Sequence, residues 1–316
     1  MTDVQKKITL SRLSQYGLLS VVSNDNLKFL QGQFTCDVKE VSAEQWRYGA
    51  LCTNKGRMIS NFLLAQVAAN QHLLRMNAST IEAVATTLKK FAPFYKGTVT
   101  DSTNDYVILG LATSGTEATL DSLLQNIFAT SLAATDIVKT TEQFTLVKLD
   151  AQRYECWIKK ESAEKIWQQL SSLTTVIDES QWMLMNIRAG LGEVRKPTIE
   201  EWTPHMLNLQ AIGAVNFKKG CYTGQEIVAR TEYRGQQKRA MYRVSGNGSA
   251  PETAATLVDG EQPAGEIVIA AATNNNQWEA LAVISDPHLE KSLQCNGQAL
   301  QILSLPYTFR KPSLTK

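Results

Sequence analysis

No apolar run of about 18 residues occurs in this chain, and its opening, MTDVQKKITL, lacks the hydrophobic stretch of a secretory signal. Both absences predict a cytoplasmic protein with no membrane partner. The five cysteines, Cys36, Cys52, Cys156, Cys221 and Cys295, include no CxxC pair. That argues against a zinc knot and against an iron-sulfur cluster held by this chain alone, so no metal site is expected. An odd set of thiols fits a reducing compartment. Histidine is scarce: His72, His205 and His288 are scattered, with no acidic residue at ligand spacing. A serine triad or a zinc centre therefore has no support. Neither GxxxxGK[ST] nor a GxGxxG after a strand is present, which leaves nucleotide-dependent chemistry without a foothold. Lys and Arg are missing from Val244 to Glu290, a stretch that carries seven acids.

What is present suits a folded protein. The 316 residues are 43% hydrophobic and 20% charged, enough for two or three domains with sizeable cores. Seven basic residues stand between Lys218 and Arg243 against Glu226 and Glu232. This strip suits an anionic ligand or an RNA backbone, with a solvated face as the plainer reading.

The segment FKKGCYTGQEIVAR, Phe217 to Arg230, lies within that strip. It sets Cys221 between Gly220 and Gly224, with Lys219 before it and Gln225 and Glu226 after it. Glycines let a backbone approach a ligand closely, and a nearby lysine favours the reactive thiolate. The segment is expected to be a loop presenting Cys221 for thiol chemistry, for transient metal or sulfur handling, or as a packed contact. Cys36, in FLQGQFTCDV (Phe29 to Val38), is expected to be buried, and the other three cysteines fall in strand-like or surface contexts.

Hydrophobic periodicity predicts strands over 18–22, 47–53, 58–67 and 72–76, with Asn54-Lys55-Gly56 as a turn. Asn24 is expected to cap a short helix carrying Leu27, Leu30 and Phe34, and Ser79 with Glu82 to form a capping box. A strand over 105–111, a helix around Leu120–Phe128 and a hairpin over 144–149 and 153–158 follow. Two further helices hold Ile166 to Leu170 and, capped by Asp178, Trp182 to Arg188. Strands and helices mix without a regular βαβ repeat, which indicates α+β layers. Beyond Arg234 short strands over 240–244, 266–272, 278–284 and 299–303 predict an all-β module, a small barrel.

Together FLQGQFTCDV and FKKGCYTGQEIVAR resemble the YgfZ family of folate-binding proteins, relatives of the aminomethyltransferase (T-protein) of the glycine cleavage system. Lys219, Gly220, Cys221, Tyr222, Gly224, Gln225 and Glu226 match the family pattern K-G-C-[FY]-x-G-Q-E, with Arg230 downstream. NIRAG (Asn186–Gly190), NLQAIGAV (Asn208–Val215) and RGQQKRA (Arg234–Ala240) extend the likeness over most of the chain. The resemblance implies an α+β fold of the T-protein type, a three-domain ring with two mixed α+β domains and a C-terminal small β-barrel. Segments 1–100, 101–235 and 236–316 are the corresponding domains, the second ending in the KGCYTGQE loop. It also implies tetrahydrofolate or a folate derivative as ligand, bound in part by two aromatic positions. One falls on Trp182; the other, usually a tryptophan, falls on Tyr16. Gly220, Tyr222, Gly224 and Arg230 join them as expected binding residues, while Cys221, Lys219, Gln225 and Glu226 are the reactive candidates.

The implied role is an accessory protein, rather than an enzyme, for iron-sulfur cluster assembly or repair, and through it for tRNA modification. Its partners would be iron-sulfur proteins or assembly factors, with direct tRNA contact left open. The alternative is a folate-dependent one-carbon (aminomethyl) transferase, which needs a carboxylate base such as Glu193 or Glu226. A third reading, an RNA-binding module on the basic strip, lacks an aromatic-rich RNA motif.

Overall fold

The computed structural model describes residues 7–129, 138–234, 237–273 and 276–309. Within it the chain forms two compact units, the first from Met1–Gln33, Asp37–Tyr48 and Phe62–Trp182, the second from Phe34–Cys36, Gly49–Asn61 and Met183–Lys316. In chain order the elements open with β1 (Ile8–Arg12), β2 (Tyr16–Val22), α1 (Asn26–Gln31), β3 (Arg47–Cys52), β4 (Met58–Ala68) and β5 (Gln71–Asn77). Next come α2 (Ile81–Lys89), β6 (Thr98–Asp101), β7 (Tyr106–Thr113), α3 (Glu117–Phe128), β8 (Val138–Thr140), β9 (Phe144–Lys148) and β10 (Arg153–Lys159). The series continues with α4 (Lys160–Ser171), β11 (Thr175–Val176), α5 (Glu179–Arg188) and α6 (Gln225–Arg234). An all-β run closes it: β12 (Arg239–Asn247), β13 (Thr256–Asp259), β14 (Gln262–Ala272), β15 (Gln277–Ser285), β16 (Leu293–Cys295), β17 (Gln298–Ala299) and β18 (Gln301–Leu303).

The first sheet runs β11-β1-β7-β10-β9-β8 and lies wholly in the first unit. Alternation along a strand sends successive side chains to opposite faces. One face offers Leu109, Leu111, Tyr154, Cys156 and Ile158, which pack on Leu120, Leu124 and Phe128 of α3 and Ile166 and Leu170 of α4. The other carries Gly110, Glu155 and Trp157. A second sheet runs β3-β4-β5-β2-β6.

The third sheet, β17-β16-β13-β14-β15-β12-β18, belongs to the second unit. Its first and last strands are separated in sequence by Leu300 alone, so the order closes on itself as a barrel does. Val244, Ile267, Trp278, Ala280 and Ala282 fill its core. The α+β class and the C-terminal barrel-like module are as the sequence implied.

Several local expectations are corrected. Asp25, not Asn24, stands at the N-cap of α1, and Phe34 lies beyond the helix in a bridge with Leu51. The Ser79–Glu82 capping box does not form: Ser79 donates to Asn77 Oδ1, and Thr80 precedes α2. Strand 299–303 is split at Leu300. Gln225 to Arg230, expected as part of the glycine loop, instead belong to helix α6 (Gln225–Arg234); exposed Ile227 and Tyr233 disguise its amphipathic period. By contrast Asp178 does accept from the Ser180 amide at 2.8 Å, at the start of α5.

Candidate functional site

The sequence-predicted residues fall into two groups. Gly220 to Arg230 belong to the second unit, Tyr16 and Trp182 to the first.

In the second unit the two strings that carry the resemblance touch. Lys219 is buried, and its Nζ donates to the carbonyls of Phe34 at 2.6 Å and Cys36 at 2.7 Å. Thr35 between them donates through Oγ1 to the Ala214 carbonyl at 2.7 Å, and its own carbonyl accepts from the Asn216 amide at 2.9 Å. The ammonium expected to activate the thiol thus ties the loop to segment 34–36. Lys219 also sits 5.1 Å from the centre of the buried Tyr222 ring. Burial pushes the Tyr222 phenol up, and its hydroxyl has no hydrogen-bond partner. Gly224 has φ +82°, and a Cβ there would collide with the Thr53 carbonyl of the turn between β3 and β4. Only glycine meets both demands. Gln225 opens α6, and its Oε1 accepts from the Tyr222 amide at 3.3 Å.

On this base Gly220 and Cys221 are exposed, as are Glu226 and Arg230 on α6. Cys36, Cys52, Cys156 and Cys295 are buried, so the surface context expected for some of them is not found. Burial raises the thiol of Cys52 to about 12 and pushes that of Cys156 up as well, which suppresses the thiolate. Cys221 is thus the thiol open to a reaction partner. His205 is buried behind the loop, with Nε2 3.3 Å from Glu232 and its carbonyl accepting from Gln237. Glu193 is held by Arg195 at 2.6 Å.

The basic strip is not a single solvated face. Arg239 pairs with Glu266 at 3.5 Å and Arg243 with Glu279 at 2.8 Å. The cation-poor acidic stretch is therefore partly the counter-charge of the strip, brought against it by strand pairing. Gly235 and Gln236 of RGQQKRA lie outside the described residues.

In the first unit Tyr16 and Trp182 are joined by residues that the sequence analysis passed over. Trp182 has no exposed surface, and its indole lies on Gly110 of β7, where an added Cβ would come within 2.7 Å of the ring. Gly110 is paired across strands with Glu155 of β10. Glu155 is 1% exposed; its Oε2 accepts from Arg75 Nε at 3.0 Å and Trp157 Nε1 at 2.9 Å, and Arg75 Nη2 lies 2.9 Å from Oε1. The Arg75 guanidinium in turn stacks 4.3 Å over the Tyr16 ring. The signal in the sequence was a charge in each of two apolar strands, Arg75 in LLRMN and Glu155 in YECWI, since a buried ion is retained only when paired. Trp182 Nε1 is buried without an acceptor.

The GCVT N-terminal domain model matches residues 1–210. The tRNA-modifying protein YgfZ of Vibrio vulnificus is 34% identical over 314 residues, spanning 96% of this chain and 93% of the relative. Its namesake from Aliivibrio fischeri is 32% identical over 306 residues, with 95% and 92% covered. The chain belongs to the YgfZ family. Its fold is also that of the glycine cleavage system aminomethyltransferase T from Bartonella henselae, matched with a TM-score of 0.74 at 15% identity over 95% of this chain and 86% of that one. Seen within the YgfZ family, the KGCYTGQE string is a strapped loop that ends in a helix. No described helix is long and apolar enough to cross a membrane.

Proposed function

We propose that this chain binds tetrahydrofolate or a folate derivative and serves as an accessory factor in iron-sulfur cluster assembly or repair, supporting tRNA modification in the cytoplasm. One observation carries the reading: Tyr16 and Trp182, the positions associated with folate by resemblance, are the two ends of the Tyr16–Arg75–Glu155/Gly110–Trp182 chain. Trp182 has no exposed surface, so in this reading ligand entry uncovers the indole, and its Nε1, an unmet buried donor at a cost of about 1–3 kcal/mol, then gains an acceptor. Pteridine nitrogens and carbonyl oxygen are such acceptors. Because the indole face is covered by Gly110, Trp182 takes a hydrogen-bonding part in this reading rather than a stacking one. Cys221 works separately, as an accessible thiol toward a partner protein. The three domains 1–100, 101–235 and 236–316 form part of the same proposal.

Calorimetry with tetrahydrofolate on wild type, Trp182→Phe and Cys221→Ala tests it, followed by rescue of iron-sulfur enzyme activity in cells lacking the protein. Wild type and Cys221→Ala should bind alike, and Trp182→Phe should bind at least tenfold more weakly. A wild type that does not bind folate sinks the mechanism. Full rescue by Cys221→Ala would show that the thiol is dispensable and remove Cys221 from the proposed role.

The shared fold with an aminomethyltransferase favours one second reading, a one-carbon transferase. It predicts turnover of a methylene-carrying folate with an amine acceptor, which the accessory role does not. Pairing of Glu193 with Arg195 weighs against Glu193 as its base.

A further inference from the structure

Alternation along β12 and β15 places Val244, Trp278 and Ala280 in the barrel core and leaves Arg243, Ser245, Glu279 and Gln277 on the outer face. Across this face Gln301, Ser245 and Glu279 stand in one row, from β18 through β12 to β15. A carboxylate on an outer face is ordinarily solvated. Glu279 is instead only 8% exposed, because two guanidinium groups close over it. Arg188, at the end of α5, donates from Nη2 to Oε1 at 2.7 Å and from Nε at 3.1 Å; Arg243 donates from Nε to Oε2 at 2.9 Å. Burial by itself would push the Glu279 carboxyl up, but the two arginines outweigh it and hold it below the ordinary range. The carboxylate stays ionised, and two cations against one anion leave one positive charge.

That charge faces a cleft of about 440 Å³, a volume within the range of small-molecule sites. Arg188, Ser245, Asn247, Gln277, Glu279 and Gln301 line it, so the walls offer hydroxyl and amide groups and no second acid. A guanidinium has five N–H donors. Arg188 uses its Nε–H and one Nη2–H on Glu279, and its side chain is 51% exposed. The fork pinned by Glu279 is thus pre-oriented, with three N–H groups still to place.

We propose that this cleft binds the oxyanion of a small polar molecule, a carboxylate or a phosphate ester, on the outward edge of Arg188. Two N–H groups of one guanidinium match two oxygens of either anion, and Ser245, Asn247 and Gln301 take the hydroxyl or amide groups of the rest of the molecule. Glu279 acts as a positioning residue, holding the fork without touching the ligand. The site is independent of the reading given for Trp182.

The test is calorimetric titration of the full chain with three probes: inorganic phosphate, adenosine 5′-monophosphate and γ-glutamylglutamate. The two organic probes separate a phosphate source from a carboxylate source, and free phosphate reports the anion alone. Wild type should bind at least one organic probe with millimolar affinity or better, more weakly as salt rises. Arg188→Lys keeps the charge but loses the fork, and should bind at least tenfold more weakly. Gln301→Glu adds an acid at an exposed position away from the Arg–Glu cluster, and should weaken binding by a similar factor with an unchanged melting temperature. The proposal is overturned if wild type binds none of the three, or if both variants bind as wild type does. Loss of tetrahydrofolate binding in Trp182→Phe with these titrations intact would leave this site standing.

Discussion

The indole of Trp182 lies flat against Gly110, the residue paired across strands with Glu155. Nothing larger than a hydrogen fits between ring and strand, so Gly110→Ala forces either the helix bearing Trp182 or β7 to shift. Overpacking of this kind costs about 1–3 kcal/mol. Urea unfolding should show that loss, together with a changed tryptophan emission spectrum. An unaltered spectrum at unaltered stability would mean that the ring can move away freely.

Breaking the Arg75–Glu155 pair should be expensive when only one partner is removed. Glu155→Gln or Arg75→Met leaves a buried charge without its partner, at about 3–5 kcal/mol, whereas Arg75→Met with Glu155→Met removes both charges. The double variant should therefore be more stable than either single one by chemical denaturation. Additive losses would show that the two ions do not depend on each other.

Lys219→Met should destabilise the second unit by about 1–3 kcal/mol, because the Phe34 and Cys36 carbonyls lose their donor. Cys221→Ser, at an exposed position, should leave the melting temperature within a degree or two. Alkylation of the native chain should mark Cys221 ahead of the four buried thiols. Mass spectrometry reads the order directly.

His72 gives an acid limb to stability. Burial lowers its imidazole from 6.5 to about 4, with Nδ1 3.3 Å from Asn26 Nδ2. Between those values the unfolded chain binds the proton and the folded chain does not, so stability is complete above about pH 6.5 and falls as pH drops toward 4. The span corresponds to about 3 kcal/mol. His72→Gln should remove that part of the slope while the carboxylate contribution stays. Equal slopes in wild type and variant would show that His72 does not contribute.

The local vocabulary of the fold was legible in the sequence. Strand β5, the β9–β10 hairpin and helices α3 and α5 all lie where their apolar periods put them. Helix α6 was not legible, since its exposed Ile227 and Tyr233 break the pattern, and the turn chemistry of Gly224 reads equally as loop. Strand partners were not legible either. Register depends on neighbours distant in sequence, and Gln301, Ser245 and Glu279 become one row only after β18 and β15 flank β12.

The sequence by itself determined the family, the α+β class, the glycine-framed thiol and the all-β character of the C-terminal part, because each rests on short strings or on alternation along a few residues. The tertiary structure decided the roles. It turned Lys219 from an expected activator of Cys221 into a strap on Phe34 and Cys36, and set Arg243 and Arg239 against acids in other strands. It also buried Arg75 with Glu155 between the two aromatic residues expected to meet folate. Burial and ion pairing are relations between residues far apart in the chain. They set what a charged side chain can do, and only the folded chain fixes them.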